Sequence, residues 1–421
     1  MKRRRSLTHI GGPVERQGHP ETSAILAGAL DVAPAQEPRG DDRGDGNTRD
    51  DRDDPDRAHV HGFHSYPARM HPATAARLVR GLSAPGSTVL DPFCGSGTVL
   101  VEGMIAGRRM VGTDLNPIAV RLASLKTSPR TATERDLLMA MARGVANFAN
   151  ERRLRRAGAT KRYPPEDVAS FDAHILLELD SLRAGIRDVA DARVREALQL
   201  AMSAILVKVS RRASDTAGHE VQRRIAAGYP SKLFVKKTDE LARRFAALER
   251  LLLPAGEVKS ARVTLEDATR LPSVKAATID AIVTSPPYVA TYDYLAHHAL
   301  RMRWLELDPS AFSAGETGSR RRYARIDAAE AKVAWTRELT AIVRAMARVC
   351  RKGGRIALLI ADSAVQDQAL RADALVTEVA EAAGLEVVAR AWQYRPHFHG
   401  ATARAFEHVP RAEHAIAMVK R

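Results

Sequence analysis

The sequence predicts an α/β protein built on a seven-stranded, mostly parallel, doubly wound sheet with a helical insertion. Three observations carry that expectation. A glycine-rich stretch, DPFCGSGT at residues 91–98, lies between an apolar strand-type run at 87–90 and a helix-compatible run at 99–105, which is the strand–turn–helix order of a βαβ unit. Acids close three successive strand-type runs, at Asp91, Asp114 and Asp267, and the carboxyl edge of a parallel sheet is where such folds take ligands. A second loop, TSPPY at 284–288, leaves a further apolar run at 279–283 and is stiffened by its two prolines.

Taken in order, residues 1–58 are rich in Gly, Pro, Asp and Arg and offer little apolar surface against the entropy of ordering, so they are expected to form a disordered tail. Order is expected from residue 59. Ala75, Leu78, Val79 and Leu82 recur at helical spacing, Gly86 leads into the strand at 87–90, and the next strand, 110–113, ends at Asp114. Asn116 and Pro117 then open a helix. This first unit spans 59–130. From 131 to 258 the period is helical and Ala, Leu, Arg and Glu dominate, which marks a helical insertion between the second and third strands. Strand-type sequence resumes in 259–421, at 262–265, 279–284, 355–361, 385–391 and 414–419.

The chain has 421 residues and a formal charge of +15, a balance that favours a polyanionic partner, nucleic acid first, over a merely solvated basic surface. Cys94 and Cys350 are the only cysteines and have no spacing partner for a metal site or a disulfide framework. No metal is expected, and a reducing, cytoplasmic setting is. MKRRR is followed by polar residues and the apolar stretch 24–30 is late and short, so neither a signal peptide nor a membrane span is expected.

Gly95 and Gly97 allow close backbone approach to a ligand and dihedrals that side chains forbid. A nicotinamide-binding loop needs a third glycine where this chain has Leu100, which weakens that rival. Asp114 suits ribose hydroxyls, although an acid at a strand end also serves as a helix cap.

Together, DPFCGSGT and TSPPY resemble the S-adenosylmethionine motif and the catalytic motif of the DNA amino-methyltransferases, the cytosine-N4 and adenine-N6 modification methylases. TSPPY looks most like the cytosine-N4 form. The resemblance covers residues 63–126 and 263–420 and leaves the tail and the insertion outside. It implies a class I methyltransferase, Rossmann-like fold with a cofactor half at 59–130 and a catalytic half at 259–421, S-adenosylmethionine as cofactor, and DNA as partner, with RNA the alternative. It also implies a cofactor site of Tyr66, Asp91, Phe93, Gly95, Gly97, Thr98, Asp114 and Asp267, the last at the adenine. FHSYPARMHP at 63–72 is similar to the segment that closes over the methionine moiety, with Phe93 as an apolar wall and Arg69 as a carboxylate partner.

An exocyclic base amine is a poor nucleophile because its lone pair is delocalised into the ring. Acceptors for both amino hydrogens favour the pyramidal nitrogen in the transition state. Ser285 offers a hydroxyl oxygen, the Pro286 carbonyl is fixed in direction by Pro287, and Tyr288 is expected to stack on an extruded base. Carbon-5 methylation needs a cysteine nucleophile, and neither Cys94, inside the cofactor loop, nor Cys350, at a helix end, suits it. Adenine enzymes and RNA amino-methyltransferases more often carry Asp or Asn in place of Ser285. They stay as alternatives, with a non-catalytic nucleic-acid-binding domain.

Nucleic acid has two candidate surfaces. One is the insertion, through Arg211, Arg212, Arg223 and Arg224; the other is the loop after TSPPY, through Arg320, Arg321 and Arg322. The sequence stops soon after the seventh strand, so the insertion is expected to hold target recognition by elimination. His297 and His298 lack an acid at metal-ligand spacing and are expected to be structural.

Overall fold

The computed structural model describes residues 12–32, 57–215, 220–256, 259–395 and 400–421. Its strands are β1 (Glu15–Gly18), β2 (Thr88–Asp91), β3 (Arg109–Asp114), β4 (Arg262–Leu265), β5 (Ile279–Thr284), β6 (Cys350–Ala361), a small hairpin of β7 (Ser363–Val365) and β8 (Gln368–Leu370), β9 (Leu385–Tyr394) and β10 (Ala412–Lys420). The main sheet has eight strands in the order β1-β9-β10-β6-β5-β2-β3-β4. Pairs from β6 through β4 are parallel, and β10 runs antiparallel to both β6 and β9. This is the class I methyltransferase, Rossmann-like arrangement, and all seven strands expected from the sequence are in it. Because the chain leaves β2 toward β3 and β4 on one side and returns through β5 and β6 on the other, the carboxyl ends of β2 and β5 flank the switch point where such sheets open a crevice.

Side chains alternate along the strands and build a core on each face. In β6, Ala357 and Leu359 join one cluster while Ile356, Leu358 and Ile360 join the other. The first cluster packs α2 (Pro72–Leu82), α3 (Thr98–Ile105) and α4 (Pro117–Lys126); the second packs α13 (Ala328–Val349) and α14 (Ala372–Ala382). Between α4 and β4 come α5 (Ala132–Leu154), α6 (Pro165–Ser170), α7 (Ala173–Arg187), α8 (Ala192–Ile205) and α9 (Tyr229–Leu252). A Thr131–Glu134 capping box starts α5. Leu138, Leu179 and Phe245 of these helices belong to the first cluster, so the insertion shares the core of the sheet's α2–α4 face.

The tail reading needs correction. Within 1–58, residues 12–32 are ordered: β1 pairs antiparallel with β9, and α1 (Pro20–Leu30) buries Leu26, Ala29 and Leu30. Local composition hid this, because β1 pairs with a strand some 370 residues later in the sequence, and α1 packs against that strand and against α2. Burying large aliphatic side chains such as Leu26 and Leu30 contributes roughly 1.5–3 kcal/mol each, on top of the backbone pairing of β1 with β9. Residues 1–11 and 33–56 lie outside the described residues. No helix among the described residues is long and apolar enough to cross a membrane.

Candidate active site

β2 ends at Asp91 and α3 begins at Thr98, with the glycine loop between them. Gly95 has φ +47° and Gly97 φ +86°, a region L side chains avoid. A Cβ on Gly97 would lie 3.0 Å from the Ala123 Cα, and one on Gly95 3.3 Å from the Tyr66 ring. The two glycines let the loop fold down onto α4 and under Tyr66. Asp114 holds it in place, accepting from the Gly95 N–H at 2.9 Å through Oδ2 and from the Asn116 N–H at 2.8 Å through Oδ1. Asp91 Oδ1 accepts from the Phe93 N–H at 3.1 Å and from the Thr284 hydroxyl at 2.6 Å. Burial pushes Asp91 up to about 7 and Asp114 up to about 6, against the opposing pull of these hydrogen bonds. Asp267, half-buried beyond the end of β4, accepts from the Thr269 N–H at 2.8 Å.

A cavity opens over this loop. Tyr66, Asp91, Phe93, Gly95, Thr98, Asp114 and Asp267 all line it; Gly97 alone among the expected cofactor residues does not, and acts by shaping the backbone. Its chemistry fits S-adenosylmethionine. Three strand-end carboxylates face hydroxyl and amino groups, Phe93 and Val99 offer apolar wall, and the buried Thr98 Oγ1 has no protein partner and awaits a polar one. Cys94 is buried and its thiol is pushed up by burial, first, and by the nearby Asp114 and Asp91 carboxylates, which makes it a poor nucleophile.

TSPPY leaves β5 beside that cavity. Ser285 and Pro287 line it, and they also line a second, adjoining cavity with Pro286, Tyr288, Tyr292 and Tyr294. Leu30 of α1 is part of the second wall. The Tyr288 hydroxyl donates to Glu413 Oε1 at 3.1 Å, and burial, with that carboxylate beside it, pushes the phenol up. Its ring borders the cavity where stacking is expected, but its hydroxyl is engaged on β10, a contact that motif spacing does not disclose.

Tyr66 and Arg69 line both cavities. The Tyr66 hydroxyl accepts from Asn116 Nδ2 at 3.2 Å, and its ring stacks on His298 with centroids 5.0 Å apart. His298 is buried and its imidazole is lowered to about 3 by burial, with neighbouring His297 adding to it; it acts as a neutral shelf, in keeping with a structural role. Arg69 Nη1 donates to the His61 carbonyl at 2.6 Å.

Sequence reasoning missed the cover of the first cavity, Phe312, Gly315, Glu316 and Thr317. These follow α10 (Tyr294–Trp304), in and just after α11 (Ser310–Gly315). Glu316 Oε1 accepts from the Tyr294 N–H at 2.7 Å and so caps α10. The one available signal was the single acid, Glu316, set between Gly315 and Gly318 in SAGETGS, which composition alone reads as loop.

The basic candidates divide. Arg223 Nη1 donates to the carbonyls of Val207, Ser210 and Arg212, which commits it to holding its own loop. Arg211 pairs with Asp172 at 2.8 Å, Arg212 is half-buried and Arg224 is exposed. On α12 (Arg320–Tyr323) Arg320 lies 3.4 Å from Asp293, Arg321 3.6 Å from Glu316, and Arg322 pairs with Glu338. Of these acids only Glu316 lines the first cavity, so Arg321 is the loop arginine that reaches its wall.

Comparison with known proteins agrees with this geometry. The DNA methylase family, covering N6 and N4 methyltransferases, matches residues 35–125. Type II methyltransferase M.MvaI of Kocuria varians is 40% identical over 73 residues, 17% of this chain and 16% of its own. Type II methyltransferase M.MjaII of Methanocaldococcus jannaschii is 35% identical over 68 residues, 16% of this chain and 13% of its own. A tRNA (guanine(10)-N2)-dimethyltransferase of Methanothermobacter thermautotrophicus is 43% identical over 53 residues, 12% of this chain and 16% of its own. The matched segments thus span about one sixth or less of those relatives.

Proposed function

We propose that this chain, which matches the DNA methylase family over residues 35–125, is an S-adenosylmethionine-dependent methyltransferase that acts on an exocyclic base amine in DNA, most specifically cytosine N4. The observation that carries the reading is the shared wall of two cavities. Ser285 and Pro287 border both the space fitted to the cofactor and the aromatic space beside it.

Bound S-adenosylmethionine supplies an electrophilic methyl group on a sulfonium. The chain's task is to aim an amine at it. Tyr66 and Tyr288 flank the second cavity and suit the faces of a base drawn out of its helix. Ser285 Oγ and the Pro286 carbonyl accept the amino hydrogens, so the nitrogen pyramidalises and its lone pair turns toward the methyl group. The proton shed after transfer passes through the Ser285 end of the cavity to solvent, and no covalent enzyme adduct forms. Such a reaction belongs where cellular DNA lies, in the cytoplasm.

Native sequencing of DNA from cells carrying the gene, against an empty control, tests the reading: N4-methylcytosine at a defined sequence supports it. N6-methyladenine promotes adenine. A second reading, an RNA amine, is favoured by the tRNA dimethyltransferase among the relatives, and methylated RNA with unmodified DNA selects it.

A further inference from the structure

Resting on the reading above, we infer that Arg395 reads the acceptor edge of the target base and that Glu413 is the group that holds it there. Arg395 follows β9 and Glu413 lies on β10; both line the second cavity opposite Ser285 and are 4% and 8% exposed. Glu413 Oε2 accepts from Arg395 Nε at 3.1 Å and lies 3.0 Å from Nη2 in an ion pair, while its Oε1 accepts from the Tyr288 hydroxyl at 3.1 Å. Both carboxylate oxygens are thus engaged within the protein. The guanidinium gives its Nε–H to Glu413 and holds Nη2 beside the same carboxylate, which orients its plane and leaves its donor character for the cavity.

A buried ion pair contributes little net stability, because desolvation offsets the attraction. Its place in the wall of the base cavity, tied to the motif tyrosine, gives it a use that stability does not. With the amine held at Ser285, the next edge atoms of cytosine are N3 and O2, two contiguous acceptors that match a guanidinium fork. Along the same Watson–Crick edge adenine offers one acceptor, N1, followed by a C2–H, and guanine presents an N1–H donor beside its amine. The pair therefore selects a base with acceptors adjoining the amine, cytosine first, and disfavours guanine N2. Arg395 is a specificity residue that touches substrate; Glu413 is a positioning residue.

The test uses the full chain, S-adenosylmethionine and amplified genomic DNA, which presents every sequence context without modification. Arg395→Gln should lower kcat about 100-fold, as expected when a charge-assisted hydrogen bond to the reacting base is lost. Arg395→Lys should keep part of that rate, and Glu413→Gln should raise KM for DNA and lower kcat by a smaller factor. Calorimetric affinity for S-adenosylmethionine should stay near wild type in all three, which separates base reading from a cofactor-site role. The unfolding midpoint should fall in Arg395→Gln and Glu413→Gln because each breaks a buried pair, so rates are compared well below every variant's transition. Wild-type turnover with Arg395→Gln within threefold of it overturns this inference alone, as does guanine N2 as the methylated position. Variants that lose cofactor affinity in step with kcat make the pair structural and also overturn it. Wild type that binds the cofactor and methylates no nucleic acid overturns the function and this inference together.

Discussion

The Thr284 hydroxyl donates to Asp91 Oδ1 at 2.6 Å, deep in the sheet where both residues are buried. These are the last residues of β5 and β2, the strands that lead into TSPPY and the glycine loop. The bond ties the two loops at their roots. Thr284→Val keeps the shape and removes the donor, leaving a buried carboxylate with less support, so it should cost about 1–3 kcal/mol of stability. Chemical denaturation measures that cost, and titration calorimetry should show weaker cofactor binding in the same variant. A variant as stable as wild type, with unchanged affinity, would mean the tie does not matter.

Gly97→Ala should be worse than its size suggests. A side chain at φ +86° meets the Ala123 backbone at 3.0 Å, and non-glycine residues in such regions cost of order 1–3 kcal/mol. The expected result is a lowered midpoint together with cofactor affinity reduced beyond detection. Gly86→Ala is the control: it also has positive φ but has open space around its Cβ site and lies away from the cavity, so it should lose stability only.

Asp91 and Asp114 set a pH signature. Their folded-state values, about 7 and about 6, lie above the unfolded carboxylate range. Between about pH 4 and pH 7 the folded protein therefore holds protons that the unfolded chain has released, and stability of the free protein should fall as pH rises through that window. S-adenosylmethionine hydroxyls favour the ionised acids, so affinity should strengthen over the same range. Asp114→Asn should flatten its share of both slopes. Affinity that is independent of pH from 5 to 8 would remove Asp114 from ligand contact.

Much of this was legible in the sequence because it was local. The seven strands, the glycine loop, the three strand-end acids and TSPPY are each short patterns whose physics lies within a few residues. What stayed hidden was made by distant partners. β1 and α1 order only because β9 offers an open edge and the sheet an apolar face. Glu413 reaches Tyr288 across 125 positions, and His298 supports Tyr66 from a pair of histidines that looked merely structural. Arg223 matched a surface cation by composition, yet three carbonyls already hold it.

That last point separates the basic residues. Arg223→Gln should lower the unfolding midpoint, since its carbonyl contacts are partly buried. Arg224→Gln and Arg320→Gln should leave the midpoint alone and each reduce the slope of log affinity against log salt by about 1, if each arginine meets a phosphate. Fluorescence anisotropy across a salt series decides it. Slopes unchanged in both variants would place phosphate contacts elsewhere on the protein.

Within the motif, Ser285→Ala and Tyr288→Ala should cut methyl transfer at least about 100-fold, the scale of losing an oriented acceptor or a base platform. Cofactor affinity should change little, because both act on the base. Tyr288→Phe keeps the ring and loses the hydroxyl's contacts with Glu413 and Ser285, so it should fall between wild type and Tyr288→Ala. Equal activity in all three would sink the assigned roles.

The most direct measurement is isotopic. Purified protein is incubated with S-adenosylmethionine bearing a trideuterated methyl group and with amplified DNA, and the nucleosides are analysed by mass spectrometry. The expected product is deoxycytidine carrying the heavy methyl group on N4, formed with turnover and abolished in Ser285→Ala. Protein that binds the cofactor but leaves every nucleoside of DNA unlabelled would contradict the account.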